Sequence, residues 1–571
     1  MNTNKETGIF RGWGINNNQD TNYGFIDMQN KKIIFLHKKN VSQNSALFIN
    51  GSKVSFIIQD TEKGFSALNA CIENQDDELE EFDPYQGVNH NLIEELSTWK
   101  REAKSEDSHR YFYHINEVEQ ISKGDKYFII GRKGTGKTAL CEYFNKLQNH
   151  NVFSERLSFK QFPFNELYMQ KNKAYSPPNE YITIWKYLIY STVCRLMLKN
   201  EAINPELRSE LNLLFDDDIP LNRRVKKLVG NEFGLSLFGF SLKFSHKENE
   251  KSPFKTWHEN VDYLEDLLRK YISCNEVATY YILFDELDED YREVSDEQQR
   301  TDYLNLIKGL FKAVQDVCSI FQNLEIIKLR PVVFLRDDIY DLLRDNDKTK
   351  WGDFKVDLNW NESKIKNLLA FRISRAINSE CKQMLSFEDA WVKIFGKSLI
   401  ASGNRAKNKT NTFEYITKST LLRPRDFVAY IQSCAEYALD AKIADKYGCI
   451  TPNIVRAADK AFSNYLRNEL TDELCAIIPE IDSIFNALSQ VRKWNFSINE
   501  FEKIYLDYIA DGLAKERNIK ELLSVLFMFD VIGNNPKPGY NVFRYKNREA
   551  RINFHERIIV HRGLFKSLQI L

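Results

Sequence analysis

Apolar and polar positions change their period along the 571 residues, and each change marks a different kind of element. Between 7 and 74 the segments "YGFID", "KIIFLH" and "SKVSFIIQ" alternate apolar and polar residues between Asn, Gly and Ser turns, which predicts a small all-β unit. The stretch "NQDDELEEFDPYQG" has no such period, and 75–107 is expected to be an acidic linker followed by a helix. From 108 to 350, short continuous apolar runs ("KYFIIG", "TYYILFDE", "RPVVFLR") suit strands of a parallel sheet buried on both faces. The interval 150–275 is too long for one crossover. It holds an aromatic helical run, "YITIWKYLIYSTVCRLML", and an alternating run, "FGLSLFGFSLKF", that reads as a hairpin, so an insertion or an elaborated sheet is expected.

Helical periodicity dominates 351–465, where "NESKIKNLLAFRISRAI" and "RPRDFVAYIQSCAEYALDAKIA" are amphipathic, with Asn361 and Pro424 as starting residues. In 466–571, helices are predicted over 498–511 and 518–528. The alternating stretch "GYNVFRYKNREARINFHERIIVHRG" follows and predicts a two-stranded wing.

Composition narrows the class. With 43% hydrophobic residues the chain can bury several cores, and 79 Lys+Arg against 80 Asp+Glu leave no global field toward nucleic acid or anionic lipid. Binding to either needs a local patch. Nine scattered cysteines without a C-x-x-C pair argue for reduced thiols. The start, "MNTNKETGIF", lacks signal-peptide character, and no apolar run nears the ~20 residues that span a bilayer, so a cytoplasmic protein without membrane contact is expected.

"GRKGTGKTAL" carries the first chemistry. Gly131, Gly136, Lys137 and Thr138 satisfy the phosphate-loop pattern, with Gly134 and Thr135 completing the curl, between an apolar strand and a helix-forming run. Backbone N–H groups would face one anion, Lys137 would reach the β- and γ-phosphates of ATP, and Thr138 would ligate Mg2+. In "YYILFDELDE", Asp285 is placed as the metal-coordinating carboxylate and Glu286 as the general base. Arg336 ends "RPVVFLRDD", either near the γ-phosphate or in an ion pair with Asp337 or Asp338. Arg423 and Arg425 flank Pro424 at a helix start, and one of them could project onto the phosphates.

These motifs resemble those of bacterial P-loop ATPases related to the AAA+ and STAND NTPases, built as an ATPase core, helical lid and winged helix. The resemblance spans 108–571. It implies a sensor-1 role for Arg336 and a sensor-2 role for Arg423 or Arg425, and homo-oligomers. Its relatives serve as signalling switches or in anti-phage defence.

In the N-terminal unit, Tyr23, Phe25, Phe35 and His37 fall on one face of two successive strands, where rings stack on unpaired bases. Arg11, Lys31, Lys38 and Lys39 lie near enough to meet phosphates. The alternative is that these rings fill the barrel interior. "YGFI", "IFLH", "NGSKVSF" and "KGFSALNA" resemble a cold-shock domain, an OB-type barrel that binds RNA or single-stranded DNA. In the last region, Arg544, Lys546, Arg548 and Arg551 would meet a phosphate backbone if the wing bound DNA. The competing reading is a packing or autoinhibitory unit.

The sequence therefore reads as a multidomain protein: an OB-like β-barrel, an α/β P-loop NTPase core, a helical lid and a C-terminal winged helix. His37, His555 and His561 lack the local partners of a metal site, and no nuclease, protease or deaminase constellation is present, so any toxic activity is expected in a separate effector protein. The leading function is an ATP-hydrolysing, nucleic-acid-responsive switch. The alternatives are a nucleic-acid-remodelling or loading ATPase like the origin-recognition relatives, and an RNA- or single-strand-binding protein with a regulatory nucleotide domain.

Overall fold

The computed structural model describes residues 6–16, 19–28, 33–42, 52–61, 64–72, 90–147, 149–159, 177–215, 257–271, 278–288, 297–321, 327–380, 383–402, 408–441 and 449–570. Most of the acidic stretch 75–107 before residue 90, the hairpin expected around 233–244, and Lys31 lie outside them. The chain divides into two compact units, Met1–Gln86 and Gly87–Leu571.

In the first unit, β1 (Glu6–Asn16), β2 (Gln19–Asp27), β3 (Ile33–His37), β4 (Lys53–Thr61) and β5 (Gly64–Ile72) form a closed barrel in the order β1-β2-β3-β5-β4. Neighbours run antiparallel except β3 and β5. Strand alternation sends Phe10, Ile26, Ile34, Leu36, Val54 and Phe56 into the interior. Gly8 permits the close approach of β1 to β2, because a Cβ there would stand 2.6 Å from the Asp27 carbonyl oxygen.

The second unit is built on a parallel sheet of β6 (Phe128–Gly131), β7 (Val152–Ser158), β8 (Ala278–Asp285), β9 (Ile327–Arg336) and β10 (Lys355–Asp357), ordered β10-β6-β9-β8-β7. Both faces are covered, as the continuous apolar runs require. Phe128, Ile130, Ile282, Phe284 and Val333 join a core with the helices Ile182–Lys199 and Glu297–Phe321. Ile129, Leu283, Val332 and Phe334 join a second core with Leu140 and Phe144 of the helix Lys137–Asn145. The three expected strands are β6, β8 and β9. Two more were not legible: β7 opens the interval read as an insertion, and β10 lies past the expected core boundary at 350. Within the interval 150–275 the described residues supply an edge strand and a core helix, as the elaborated-sheet alternative expects.

The lid helices begin where expected. The Asn361 side chain accepts from the Lys364 N–H to cap Glu362–Ile377, and Pro424 starts Pro424–Asp440. One continuous apolar core joins these helices to the C-terminal region, and the helix Pro452–Leu474 runs through the expected boundary at 465. The helices Ile498–Ala510 and Ile519–Met528 are followed by a four-stranded antiparallel sheet of β13 (Asn495–Phe496), β14 (Ile532–Lys537), β15 (Tyr540–Val542) and β16 (Arg557–Val560), with β11 (Leu399–Ser402) and β12 (Asn408–Asn411) forming a separate hairpin. The wing pairs differently from the expectation: its hairpin is β14 with β15, turning at Gly539 with φ 81°. Residues 543–556, expected as strand, form the connection to β16.

The described cysteines are free thiols. Among the described residues, no helix is long and apolar enough to cross a membrane.

Candidate functional site

Strand order and register assemble the site. β9 lies between the phosphate-loop strand β6 and the acidic strand β8, pairing Gly131 with Arg336, while β7 pairs Ser158 with Asp285. The carboxyl ends of β6 and β9 therefore finish level, those of β8 and β7 finish level with each other two residues short of β9, and all four lie at the sheet edge where α/β ligands bind. They face a cavity of about 270 Å³ whose wall includes Gly134, Lys137, Thr138, Asp285, Glu286, Arg336 and Arg425.

The loop is cradle-shaped for a local reason. Gly134 and Gly136 have φ of 83° and 101°, in the left-handed region that side chains disfavour, and a Cβ on Gly131 would stand 2.6 Å from the Thr135 hydroxyl. The Thr135 hydroxyl donates to the Arg132 carbonyl (2.8 Å), and Trp360 Nε1 donates to the Thr135 carbonyl (2.9 Å). Lys137 Nζ donates to the Gly131 and Arg132 carbonyls at 2.7 and 3.0 Å. Burial lowers its pKa against the pull of Asp288 and Asp337. Anionic phosphates in the cavity would return to this ammonium the charge partners that burial has removed.

Asp285 ends β8 buried, and Glu286 follows at φ 60°. Arg156 on β7 reaches across: Nη1 lies 2.8 Å from Glu142, and Nη2 lies 2.7 Å from Asp285 and 3.1 Å from Glu286. Burial raises the Asp285 pKa, partly offset by Arg156. For Glu286 burial also pulls upward, but donors from Lys104 (2.6 Å) and Ser158, with Arg156, outweigh it and hold the carboxyl below its ordinary range. Thr138 and Asp285 supply hard oxygens, the donor type magnesium takes alongside nucleotide phosphates. They fit Mg2+, and the left-handed glycine cradle with Lys137 fits a polyphosphate. The same cavity is also lined by the apolar side chains Phe112, Leu368 and Val428 and by Tyr113, the residue types that cover a flat base.

The arginines separate. Arg336 is buried on the cavity wall with Nε and Nη2 at 2.9 and 2.6 Å from the Asp338 carboxylate and Nη1 at 3.5 Å from Asp288. Arg423 is buried among Asp426, Glu473 (2.9 Å) and the Lys133 carbonyl (3.3 Å), so its guanidinium ties the lid to the loop. Arg425 faces the cavity. Its N–H lies 3.4 Å from the Gly134 carbonyl and its Nη1 3.2 Å from Glu469. Arg156, Ser158, Glu142, Asp288, Trp360 and Lys104 were missed. Of these only Arg156 and Ser158 left a trace in the sequence, two positions apart in "VFSERLS" and hence on one strand face.

Two of the four basic residues after the C-terminal hairpin, Arg544 and Arg548, turn toward the core, whereas Lys546 and Arg551 are exposed. Arg544 meets Asp341 (2.6 Å), and Arg548 meets Asp341 (3.0 Å) and Asp357, both carboxylates lying in the parallel-sheet core. Arg132 of the phosphate loop meets the buried Asp530. Lys546 lies over the Tyr545 ring, 5.6 Å from its centroid, and Arg551 is exposed. His561 is buried edge-on to Phe543 and Tyr545, and its Nδ1 accepts from the Gly563 N–H (3.1 Å). Burial, with the cations Lys546, Arg423 and Arg132 nearby, pushes its pKa down to about 3.

On the barrel, the rings lie outside rather than in the core. Tyr23, Phe25 and Phe35 are 42%, 40% and 37% exposed. Tyr23 and Phe35 stack at 5.8 Å, and Phe25 stands edge-on to both at 6.2 and 6.0 Å. His37 pairs with Tyr23 across the strands and accepts at Nδ1 from the Lys39 N–H (3.1 Å), with Lys38 in the same turn. Arg11 is spent on Asp27 (2.5 Å).

A family profile described as the FunZ-associated C-terminal helical domain matches residues 363–471. That is the lid, including both Arg423 and Arg425. Among solved structures, Drosophila ORC bound to DNA aligns at 12% identity and a TM-score of 0.26, covering 85% of this chain and 93% of that one. Cdc6p from Pyrobaculum aerophilum aligns at 11% identity and a TM-score of 0.24, covering 81% and 96%. No curated protein matches.

Proposed function

We propose that this chain binds ATP with Mg2+ and hydrolyses it as a switch that responds to single-stranded nucleic acid carried on the barrel. The observation that carries the ATPase part is the convergence of the carboxyl ends of β6, β9 and β8 on one cavity, whose wall combines a glycine cradle, Lys137, Thr138, Asp285, Glu286 and Arg336. In this reading Gly131, Gly134, Thr135 and Gly136 shape the phosphate cradle, and Lys137 neutralises the β- and γ-oxygens. Thr138 and Asp285 hold the metal, which supplies charge stabilisation when bound. Glu286 accepts the proton of the attacking water, Arg336 acts as sensor 1, and Arg425, not Arg423, acts as sensor 2. The observation supporting the nucleic-acid part is the exposed stack of Tyr23, Phe25 and Phe35, with His37 and Lys38 beside it on β2 and β3, the strands that bind oligonucleotides in OB-type barrels.

Homo-oligomerisation, a cold-shock identity for the barrel, a setting in anti-phage defence and a separate effector belong to this reading and rest on the resemblances in the sequence. The engagement of Arg544 and Arg548 with the core favours packing over DNA contact for the winged-helix-like region. A second reading, a nucleotide-binding regulator that does not turn over, is favoured by one fact: both oxygens of Glu286 are already engaged.

The test measures ATP turnover with and without RNA, single-stranded DNA and duplex DNA. Stimulation by single strands that disappears in Tyr23/Phe25/Phe35→Ala is the expected result. A flat response to every nucleic acid refutes the switch, and turnover no higher in the parent chain than in Glu286→Gln establishes the inert regulator. Strand displacement that tracks hydrolysis would instead make the protein a remodelling ATPase.

A further inference from the structure

Glu286 is held by a segment that lies outside the ATPase sheet. Lys104, in the short turn Ala103–Ser105, donates to its Oε1 at 2.6 Å. That turn belongs to an arm, residues 90–111, which follows the barrel in sequence and rides on the lid. Leu92, Ile93, Leu96 and Trp99 are buried in the same core as Ile365, Leu369 and Ile431 of the lid helices. Polar contacts repeat the attachment. Arg372 of the lid ion-pairs with Glu106 and lies over the Trp99 ring, 4.6 Å from its centroid. Arg101 donates to Gln432 at 2.8 Å, and Arg110 to the Arg375 carbonyl at 3.2 Å. The lid helix Pro424–Asp440 in turn meets the phosphate loop through Arg425 and Gly134.

We infer that Lys104 is a lid-borne restraint on Glu286, a positioning residue that keeps the carboxylate from the attacking water until nucleotide shifts the lid and draws the arm away. The inference rests on the proposed hydrolytic role of Glu286. Its physical basis is a difference in attachment: the arm is fastened to the lid by a buried apolar face and several hydrogen bonds, and to the sheet unit by the Lys104–Glu286 ion pair, a long hydrogen bond from Lys146 to Ser108 (3.4 Å) and the packing of the turn on the helix Lys137–Asn145. Movement of the lid by a small distance breaks the polar contacts to the sheet unit, the Lys104–Glu286 pair among them, before it strips the arm's apolar face from the lid, because an ion pair at a cavity wall is exchangeable for water whereas buried apolar area is not. Phosphates placed between Gly134, Lys137 and Arg425 act at the point where lid and loop touch. Once Lys104 leaves, Glu286 keeps Ser158 and Arg156 as partners on one oxygen and presents the other to the cavity.

The test uses the full chain with Lys104→Met and Lys104→Arg, neither of which alters the cradle or the carboxylates. Amide exchange of residues 100–107 is measured with and without a non-hydrolysable ATP analogue. The analogue is expected to speed exchange there in the parent chain, and Lys104→Met to show the faster exchange without it. Basal turnover is expected to rise about tenfold in Lys104→Met, part of the range a general base contributes, with analogue affinity unchanged and Lys104→Arg near the parent. A fall in turnover in Lys104→Met that Lys104→Arg restores overturns the restraint and makes Lys104 a promoter of the reaction. Exchange that ignores both nucleotide and substitution overturns it as well. Responsive exchange with no turnover in any variant upholds the restraint as a contact broken by nucleotide and refutes only the hydrolytic reading.

Discussion

The barrel face and the cavity at the carboxyl ends of the parallel sheet present opposite arrangements of their functional groups. On the barrel, Tyr23, Phe25 and Phe35 stand exposed and already stacked on one another, so a base can add to the row without rearranging it. In the cavity every charged group named above is paired within the protein. Lys137 lies on loop carbonyls, Arg336 on Asp338, Asp285 on Arg156, and Glu286 on Lys104. A ligand there must exchange partners before it can be held or transformed. In the proposed switch the barrel would bind directly and the cavity would change state.

The comparison is most severely tested by Glu286→Gln. Turnover is expected to fall by about 10²–10⁴, the contribution of a general base, while nucleotide affinity stays; a parallel loss of affinity would show that the carboxylate is a binding group only. Next, the two lid arginines should part company. Arg423→Ala strands the buried Asp426 and Glu473 and is expected to cost about 3–5 kcal/mol of stability, read as a lower melting temperature. Arg425→Ala, on a partly exposed side chain, should leave melting nearly unchanged and reduce turnover instead.

On the barrel, alanine at Tyr23, Phe25 or Phe35 singly is expected to cost about 1–3 kcal/mol of affinity for single-stranded oligonucleotide, with basal turnover untouched. Equal losses for duplex would remove the stacking interpretation. A last effect, confined to acid, is at His561. Folding keeps that ring neutral down to about pH 3, whereas the unfolded chain takes up its proton near the ordinary histidine value. The unfolded state therefore binds more protons in between, and stability is full above about pH 6.5 and declines toward pH 3 by about 1.4 kcal/mol per pH unit at most. Melting curves across that window should flatten in His561→Asn, whose side-chain oxygen can still accept from Gly563.

Much of this arrangement is local and was legible. Four residues around Gly134 and Gly136 define the phosphate cradle, because positive φ is a property of single positions. Alternation over "NYGFID" and "IIFLH" was enough to group Tyr23, Phe25, Phe35 and His37 on one face, although it left open whether that face looked inward or outward. The edge strands β7 and β10 escaped because "VFSERLS" carries charge and "KVD" is too short to show a period.

The sequence by itself determined the phosphate cradle, the acidic end of β8, the helix starts at Asn361 and Pro424, and the aromatic alternation of β2 and β3. Each is set by the backbone preferences and side-chain spacing of a few consecutive residues. Only the tertiary structure decided that β9 lies between β6 and β8, that Arg425 rather than Arg423 faces the cavity, and that Arg156 and Lys104 hold the carboxylates. Lys104 and Glu286 are 182 positions apart, and Arg423 and Lys133 290. Contacts of that span follow from how sheet, lid and arm bury their apolar faces together, and no local period carries that choice.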